Sequence, residues 1–152
     1  MKQLKLFKEK VNKEFGGALL KGRKSKRPLS TKCPIHLTLR STEFNLRRNE
    51  RKILNLWNKL SKKFHIKTYK LAIMSNHIHA SIKIEHRDFY NKFIQALTGL
   101  LARRLNISFM QRPWTRILTW GREFHSVIKY IEQNILEVKG VIPYKPRTPT
   151  PS

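Results

Sequence analysis

The sequence holds one cysteine, Cys33, so it can form neither an internal disulfide nor a zinc site built from several cysteines. Cys33 reads as a small residue entering a strand. No run of about 20 apolar residues is present, as a membrane-spanning helix would need, and no apolar core follows the lysine-rich start as it would in a signal peptide. We therefore expect a chain of the cytoplasm, nucleoid-associated, with no membrane partner. Acidic residues are scarce too. The 9 Asp and Glu face 33 Lys and Arg, leaving a formal net charge of +24. Solubility does not require such an excess, and its natural partner is a polyanion, because neutralising phosphates releases condensed counterions. Composition thus points to a nucleic acid without saying which. The length of 152 residues suits one compact domain rather than two, and no solenoid-type repeat is present.

Residues 1–31 read as a basic arm, with Gly16, Gly17 and Gly22 and the cluster Lys21, Arg23, Lys24, Lys26, Arg27 before Pro28. Such runs are usually solvated tails, but in so basic a chain phosphate contact by this cluster is the better reading. Residues 32–142 carry the patterned segments, and the proline-rich stretch 143–152 reads as an unstructured tail.

From Ile35 to Arg40 the pattern alternates, with Ile35, Leu37 and Leu39 on one face and His36, Thr38 and Arg40 on the other. Ile53, Leu56, Trp57, Leu60 and Phe64 then recur at helical spacing. Two strand-like stretches, His65 to Met74 and His77 to Ile84, are separated only by Ser75 and Asn76, so they should pair antiparallel. A second helix is expected from about Asp88, as N-cap, to Leu105, with Phe89, Phe93, Leu97, Leu100 and Leu101 inward. Trp114 to Trp120 reads as a strand, and a last helix from about Glu123 carries Phe124, Ile128, Ile131, Ile135 and Val138 as its buried stripe. Strand, helix, strand, strand, helix, strand is the order of an α+β ferredoxin-like sandwich, an antiparallel sheet with helices on one face, here with an added C-terminal helix.

In the strand His77 to Ile84, His77, His79, Ser81 and Lys83 share one side while Ile78, Ala80, Ile82 and Ile84 share the other. The apolar set must face the helices. Both imidazoles then project from the open face as neighbours, close enough to bind one cation. A His-x-His pair alone is a weak signal, and two surface histidines are its commoner meaning. Tyr130 and Asn134 add context: four residues apart on the last helix, they lie on one face beside the buried stripe, leaving Tyr130 to face a cleft. A tyrosine hydroxyl, with an ordinary pKa of about 10, is a poor nucleophile unless a nearby cation polarises the phosphate under attack.

Met74-Ser75-Asn76-His77-Ile78-His79-Ala80 resembles the Met-Pro-Asn-His-hydrophobic-His segment of the HUH single-tyrosine transposases, a family that includes REP-associated and insertion-sequence-200-like members. Pro34 to Arg40 resembles the family's first strand. Trp120-Gly121-Arg122-Glu123-Phe124 followed by Tyr130-Ile131-Glu132-Gln133-Asn134 resembles its closing helix, and the order agrees through about residues 31–142. The resemblance implies that His77 and His79 bind Mg2+ or Mn2+ with Asn134, or failing it Gln133, as third ligand. It implies that Tyr130 attacks a DNA phosphate to give a 5′-phosphotyrosine and a free 3′-hydroxyl. Ser75 stands where the family usually has proline, which alters the turn but no ligand atom. His36 matches a frequent family histidine and reads as a hydrogen-bonded sheet residue outside the metal set.

For DNA grip the candidates are Arg23, Lys24, Lys26, Arg27, Arg40, Lys83, Arg103, Arg104, Arg112, Arg116 and Arg122, with Phe109, Trp114 and Trp120 as aromatics that either stack on unpaired bases or fill the core. The expected partner is single-stranded or hairpin DNA, and the protein could act as a monomer or a homodimer. Two functions compete: metal-dependent cleavage and strand transfer, or a non-catalytic ferredoxin-like nucleic-acid-binding protein that keeps the scaffold alone. A basic ribosome-associated protein is a third and weaker reading. The enzyme reading accounts for charge, fold, both histidines and Tyr130 together.

Overall fold

The structure, a computed structural model, describes residues 13–17, 26–110 and 112–146. Its elements are β1 (Glu14–Phe15), β2 (Ile35–Arg40), α1 (Glu50–Lys63), β3 (Ile66–Ile73), β4 (His77–Ile84), α2 (Arg87–Leu105), β5 (Trp114–Ile117) and α3 (Arg122–Val138). The strands form one antiparallel sheet in the order β1-β5-β2-β4-β3. This is the α+β arrangement the patterning predicts. Because side chains alternate across a strand, register decides which of them meet. Thr38 lies opposite His79 and Arg40 opposite His77, so the polar residues of β2 and β4 share one sheet face.

The other face carries the core. Ile35, Leu37 and Leu39 of β2 and Ile78, Ala80, Ile82 and Ile84 of β4 are buried against α1 and α2. From α1 come Ile53, Leu56, Trp57 and Leu60, and from α2 Tyr90, Phe93, Leu97 and Leu101. Each fully buried aliphatic side chain contributes roughly 1.5–3 kcal/mol relative to exposure. Trp57 anchors the layer: its ring meets that of Phe93 edge-on at 5.0 Å, and its indole N–H donates to Thr68 Oγ1 at 2.9 Å, so the buried polar atom is satisfied.

Several boundaries differ from the sequence expectations. His65 adopts a left-handed φ of 54° and closes α1, so β3 begins at Ile66. The cap of α2 is His86, whose Nδ1 accepts from the Asp88 N–H at 3.2 Å, and Asp88 lies inside the first turn. β5 stops at Ile117 because Thr119 is captured by Glu123, whose Oε2 accepts from its N–H and Oγ1 at 2.8 and 2.6 Å. Within the stretch read as an arm, Glu14 and Phe15 pair with Arg116 and Thr115 as an edge strand. Gly16 makes that possible: its φ is +95°, and a Cβ there would stand 2.0 Å from the Pro113 carbonyl oxygen.

Candidate active site

α3 packs on the polar sheet face, opposite α1 and α2, and rests on β3 and β4. Ion pairs and rings hold it there. Glu123 bonds Arg116 of β5 at 2.9 Å, Glu132 bonds Lys70 of β3 at 2.8 Å, and the Phe124 ring meets Tyr69 at 5.1 Å. An irregularity in β3 between Thr68 and Lys70 allows Tyr69 and Lys70 both to reach α3. The expected stripe is only half realised. Ile131 is fully buried, while Phe124, Ile128, Ile135 and Val138 are half-buried, because among the described residues the helix rests mainly on the polar sheet face. Asn134, expected beside the stripe, is instead within the buried side at 2% exposure.

This helix sets Tyr130 over the histidines. The rings of His77 and His79 are 4.6 Å apart and nearly perpendicular, and the Tyr130 ring stands 5.5 Å from His79 and 6.2 Å from His36. His36 also touches His79 at 5.6 Å and the edge of Trp114 at 5.2 Å. Each histidine of the pair is braced through Nδ1. Asn76 Oδ1 lies 2.7 Å from His77 Nδ1, and Thr38 Oγ1 lies 3.1 Å from His79 Nδ1. An amide oxygen can only accept, so His77 carries its proton on Nδ1 and its lone pair on Nε2. The sequence expectations contain neither brace. A side chain that can accept, placed just before or directly across from a candidate ligand histidine, is the signal that could have found Asn76 and Thr38.

Electrostatics favour the neutral form of two of these imidazoles, His77 and His36. Burial pulls the His77 pKa below its ordinary value, helped by the charge of Arg40 across the strand. Burial pulls His36 further, to about 4, with Arg116 adding to the effect, and its Nε2 is buried without a hydrogen-bond partner. Neutral imidazole is the form that ligates a cation.

Among the described residues no cluster of three or more His, Cys, Asp or Glu side chains could hold a metal ion. A cation here would therefore draw on two imidazoles and on oxygen donors of other kinds. Asn134 could join that set: one helical turn after Tyr130, its Nδ2 donates to the Tyr130 carbonyl at 3.0 Å, so Oδ1 is the atom that could serve a cation. Gln133 is turned along the helix, with Nε2 donating to Glu137 Oε1 at 3.1 Å. Two nitrogens and an oxygen, with positions left for phosphate oxygens, fit Mg2+ or Mn2+ better than a closed structural zinc site.

The basic candidates scatter. Arg40 is exposed on the face of His77, and Lys83 lies further along the same face. Arg116 is paired with Glu123 and Glu14, and Arg122 is exposed at the start of α3. Arg103 and Arg104 end α2 on the opposite side of the sheet, where Arg104 lines a groove between α1 and α2 with Lys52 and Lys59. Arg112 and Lys26 are exposed, while Arg23 and Lys24 lie outside the described residues. Arg27 instead serves the fold. It donates to the Pro113 carbonyl at 2.7 Å, Thr115 Oγ1 at 2.8 Å and the Phe15 carbonyl at 3.3 Å, with its guanidinium 4.6 Å above the Phe15 ring. Of the aromatics, Phe109 packs on the core, Trp114 backs His36, and Trp120 is half exposed with its N–H donating to the Lys32 carbonyl at 2.9 Å.

Comparison with known proteins bears on the sequence and the fold. The fold matches the structure of a REP-associated tyrosine transposase bound to a REP hairpin, with TM-score 0.60 and 13% identity over 78% of this chain and 74% of that one. A crystal structure described as a transposase from Deinococcus radiodurans R1 aligns with TM-score 0.46 and 16% identity over 75% of this chain and 96% of that one. No curated protein matches the sequence. Residues 30–138 match the family described as Transposase IS200 like. With that match spanning most of the chain, and with the fold of a tyrosine transposase around it, the protein belongs to the insertion-sequence-200-like transposase family.

Proposed function

We propose that this transposase-family protein cuts and rejoins single-stranded DNA beside hairpins, with Tyr130 as nucleophile and His77, His79 and Asn134 holding a divalent cation. The observation that carries the reading is the approach of the Tyr130 ring to 5.5 Å from His79, itself 4.6 Å from His77, although Tyr130 lies more than fifty positions beyond both in sequence. The hairpin part rests on the related structure, whose REP-associated tyrosine transposase is bound to a REP hairpin.

The histidines would ligate through Nε2, since Asn76 and Thr38 occupy their Nδ1 atoms. Mg2+ or Mn2+, when bound, supplies positive charge at the non-bridging oxygens of the phosphate. Tyr130 Oη bonds to phosphorus and the bond from phosphorus to the 3′ oxygen breaks. The phenolic proton ends on that oxygen, leaving a 5′-phosphotyrosine and a 3′-hydroxyl. Attack by a 3′-hydroxyl on the phosphotyrosine reverses the step, or joins a new strand if the hydroxyl belongs to another end. The α3 helix fixes the phenol by its contacts to β3, β4 and β5, so the nucleophile arrives oriented rather than on a loop.

The test uses hairpin oligonucleotides with single-stranded flanks, incubated with the full chain and manganese. A covalent protein–DNA adduct should appear by mass spectrometry, vanish in Tyr130→Phe, and vanish on chelation. An adduct that persists in Tyr130→Phe would end the assignment of the nucleophile. Tight binding with no adduct on any substrate would leave a non-catalytic DNA-binding protein.

A further inference from the structure

Two large apolar side chains stand exposed in the segments that adjoin the end of β2 and the turn before His77: Phe44 at 75% and Met110 at 59%. Phe44 belongs to the loop that follows β2, and both ends of this loop are pinned to the turn carrying Asn76 and His77. The Ser41 N–H donates to the Asn76 carbonyl at 2.7 Å, and the Leu46 N–H donates to the Ser75 carbonyl at 3.1 Å. Two or three residues from either pin, Phe44 is within about 10 Å of chain of that turn. The segment with Met110 is stitched to the same loop. The Met110 N–H donates to the Arg40 carbonyl at 3.1 Å, the Thr42 N–H donates to the Ser108 carbonyl at 3.2 Å, and Glu43 Oε2 accepts from the Ser108 N–H at 3.1 Å.

The platform is therefore rigid where it is anchored and bare where it faces solvent. Leu46 at its base is fully buried, and the loop's single carboxylate, Glu43, is held by Ser41 and Ser108. Arg40, exposed and directly across from His77, stands beside it. A bare ring, an adaptable thioether and a guanidinium suit an unpaired nucleobase followed by its phosphate. Every base offers a π face whatever its identity, and the cation takes the backbone charge. A docked protein would need a larger apolar area than these two side chains supply.

We propose that Phe44, flanked by Met110, is the stacking platform for an unpaired base of the strand whose phosphate enters at His77 and His79, with Arg40 on the adjoining phosphate. The course of that strand rests on the cleavage reading above; the stacking itself does not. Of the aromatics the sequence offers for stacking or for the core, Phe109, Trp114 and Trp120, Phe109 packs on the core beside its bridge to Ser41, whereas Phe44 in the neighbouring loop faces out.

The experiment scans 2-aminopurine through each flanking position of a hairpin oligonucleotide, with chelator present so that nothing is cut. Wild type should change the fluorescence at one or two adjacent positions. Phe44→Ala should erase that change and weaken binding about 5- to 150-fold, the range found when a stacking aromatic is removed. Phe44→Trp should retain both, and Phe44→Leu should not. As the residue is exposed, the variants should fold, which circular dichroism checks. Identical scans for wild type and Phe44→Ala, a flat scan for wild type, or equal rescue by Leu and Trp would each overturn the proposal. Manganese-dependent adduct formation is read separately: its absence beside an intact scan would count against cleavage and leave the stacking platform standing.

Discussion

Asn76 accepts a hydrogen bond through Oδ1 from Nδ1 of its neighbour His77, 2.7 Å away, and Thr38 meets His79 Nδ1 at 3.1 Å from the adjoining strand. Such braces fix the tautomer and ring orientation of a metal-binding histidine, and losing one typically costs about 10–100-fold in metal affinity or activity. Asn76→Ala and Thr38→Val should therefore raise the manganese concentration giving half-maximal adduct by about that factor, with much of the yield recovered at saturating metal. Asn76→Asp, which keeps an acceptor, should lie nearer wild type. An unchanged manganese titration in both deletion variants would rule out the bracing role.

His36 sets a pH dependence of folding. Its folded pKa is about 4, against an ordinary value of 6.5. Between those values the unfolded chain takes up a proton that the folded chain excludes. Stability is thus unaffected above about pH 6.5 and declines as pH falls towards 4, by about 2 kcal/mol at pH 5. His77, also lowered, acts with the same sign. Urea midpoints at pH 7 and pH 5 should differ, and the difference should shrink in His36→Asn. An equal slope in wild type and variant would place the titration elsewhere.

Arg27 ties the edge of the sheet together. Loss of its charged hydrogen bonds to Pro113, Thr115 and Phe15 should cost about 2–3 kcal/mol in Arg27→Ala, and Arg27→Lys should recover only part, since an ammonium lacks the planar fork. Chemical denaturation measures the loss, and amide exchange along β5 should quicken. Wild-type stability in Arg27→Ala would return this residue to the pool of phosphate contacts.

Gly16→Ala should loosen the same edge. The new methyl meets the Pro113 carbonyl, and the φ of +95° strains any other residue there. Its effect should concentrate in the pairing of Glu14 and Phe15 with Arg116 and Thr115, which amide exchange resolves residue by residue. Unaltered protection at those amides would contradict it.

The alternating pattern of β2 and β4 makes most of the sheet legible, because burial of one face leaves only one register for Ile35, Leu37, Leu39 and Ile78, Ala80, Ile82. The stripe of α1 is legible for the same reason. What the pattern does not carry is pairing between distant short segments. Glu14–Phe15 is too brief to show alternation, and its partner lies about a hundred residues on. Arg27 resembles one more phosphate-binding cation because its carbonyl partners leave no trace in side-chain sequence. At the candidate site, His77, His79 and Tyr130 are readable from strand and helix periods and from resemblance. Asn134 reads as marginal because an apolar stripe is a poor guide to helix α3, whose polar sheet face only half buries it.

One chain alone brings its phenol-bearing helix onto the same sheet surface as its own imidazoles. A preparation in which Tyr130→Phe chains are mixed with His77→Ala chains should consequently stay inert. Each molecule would lack one half of the proposed site, and an adduct from the mixture would show that neighbouring chains share it.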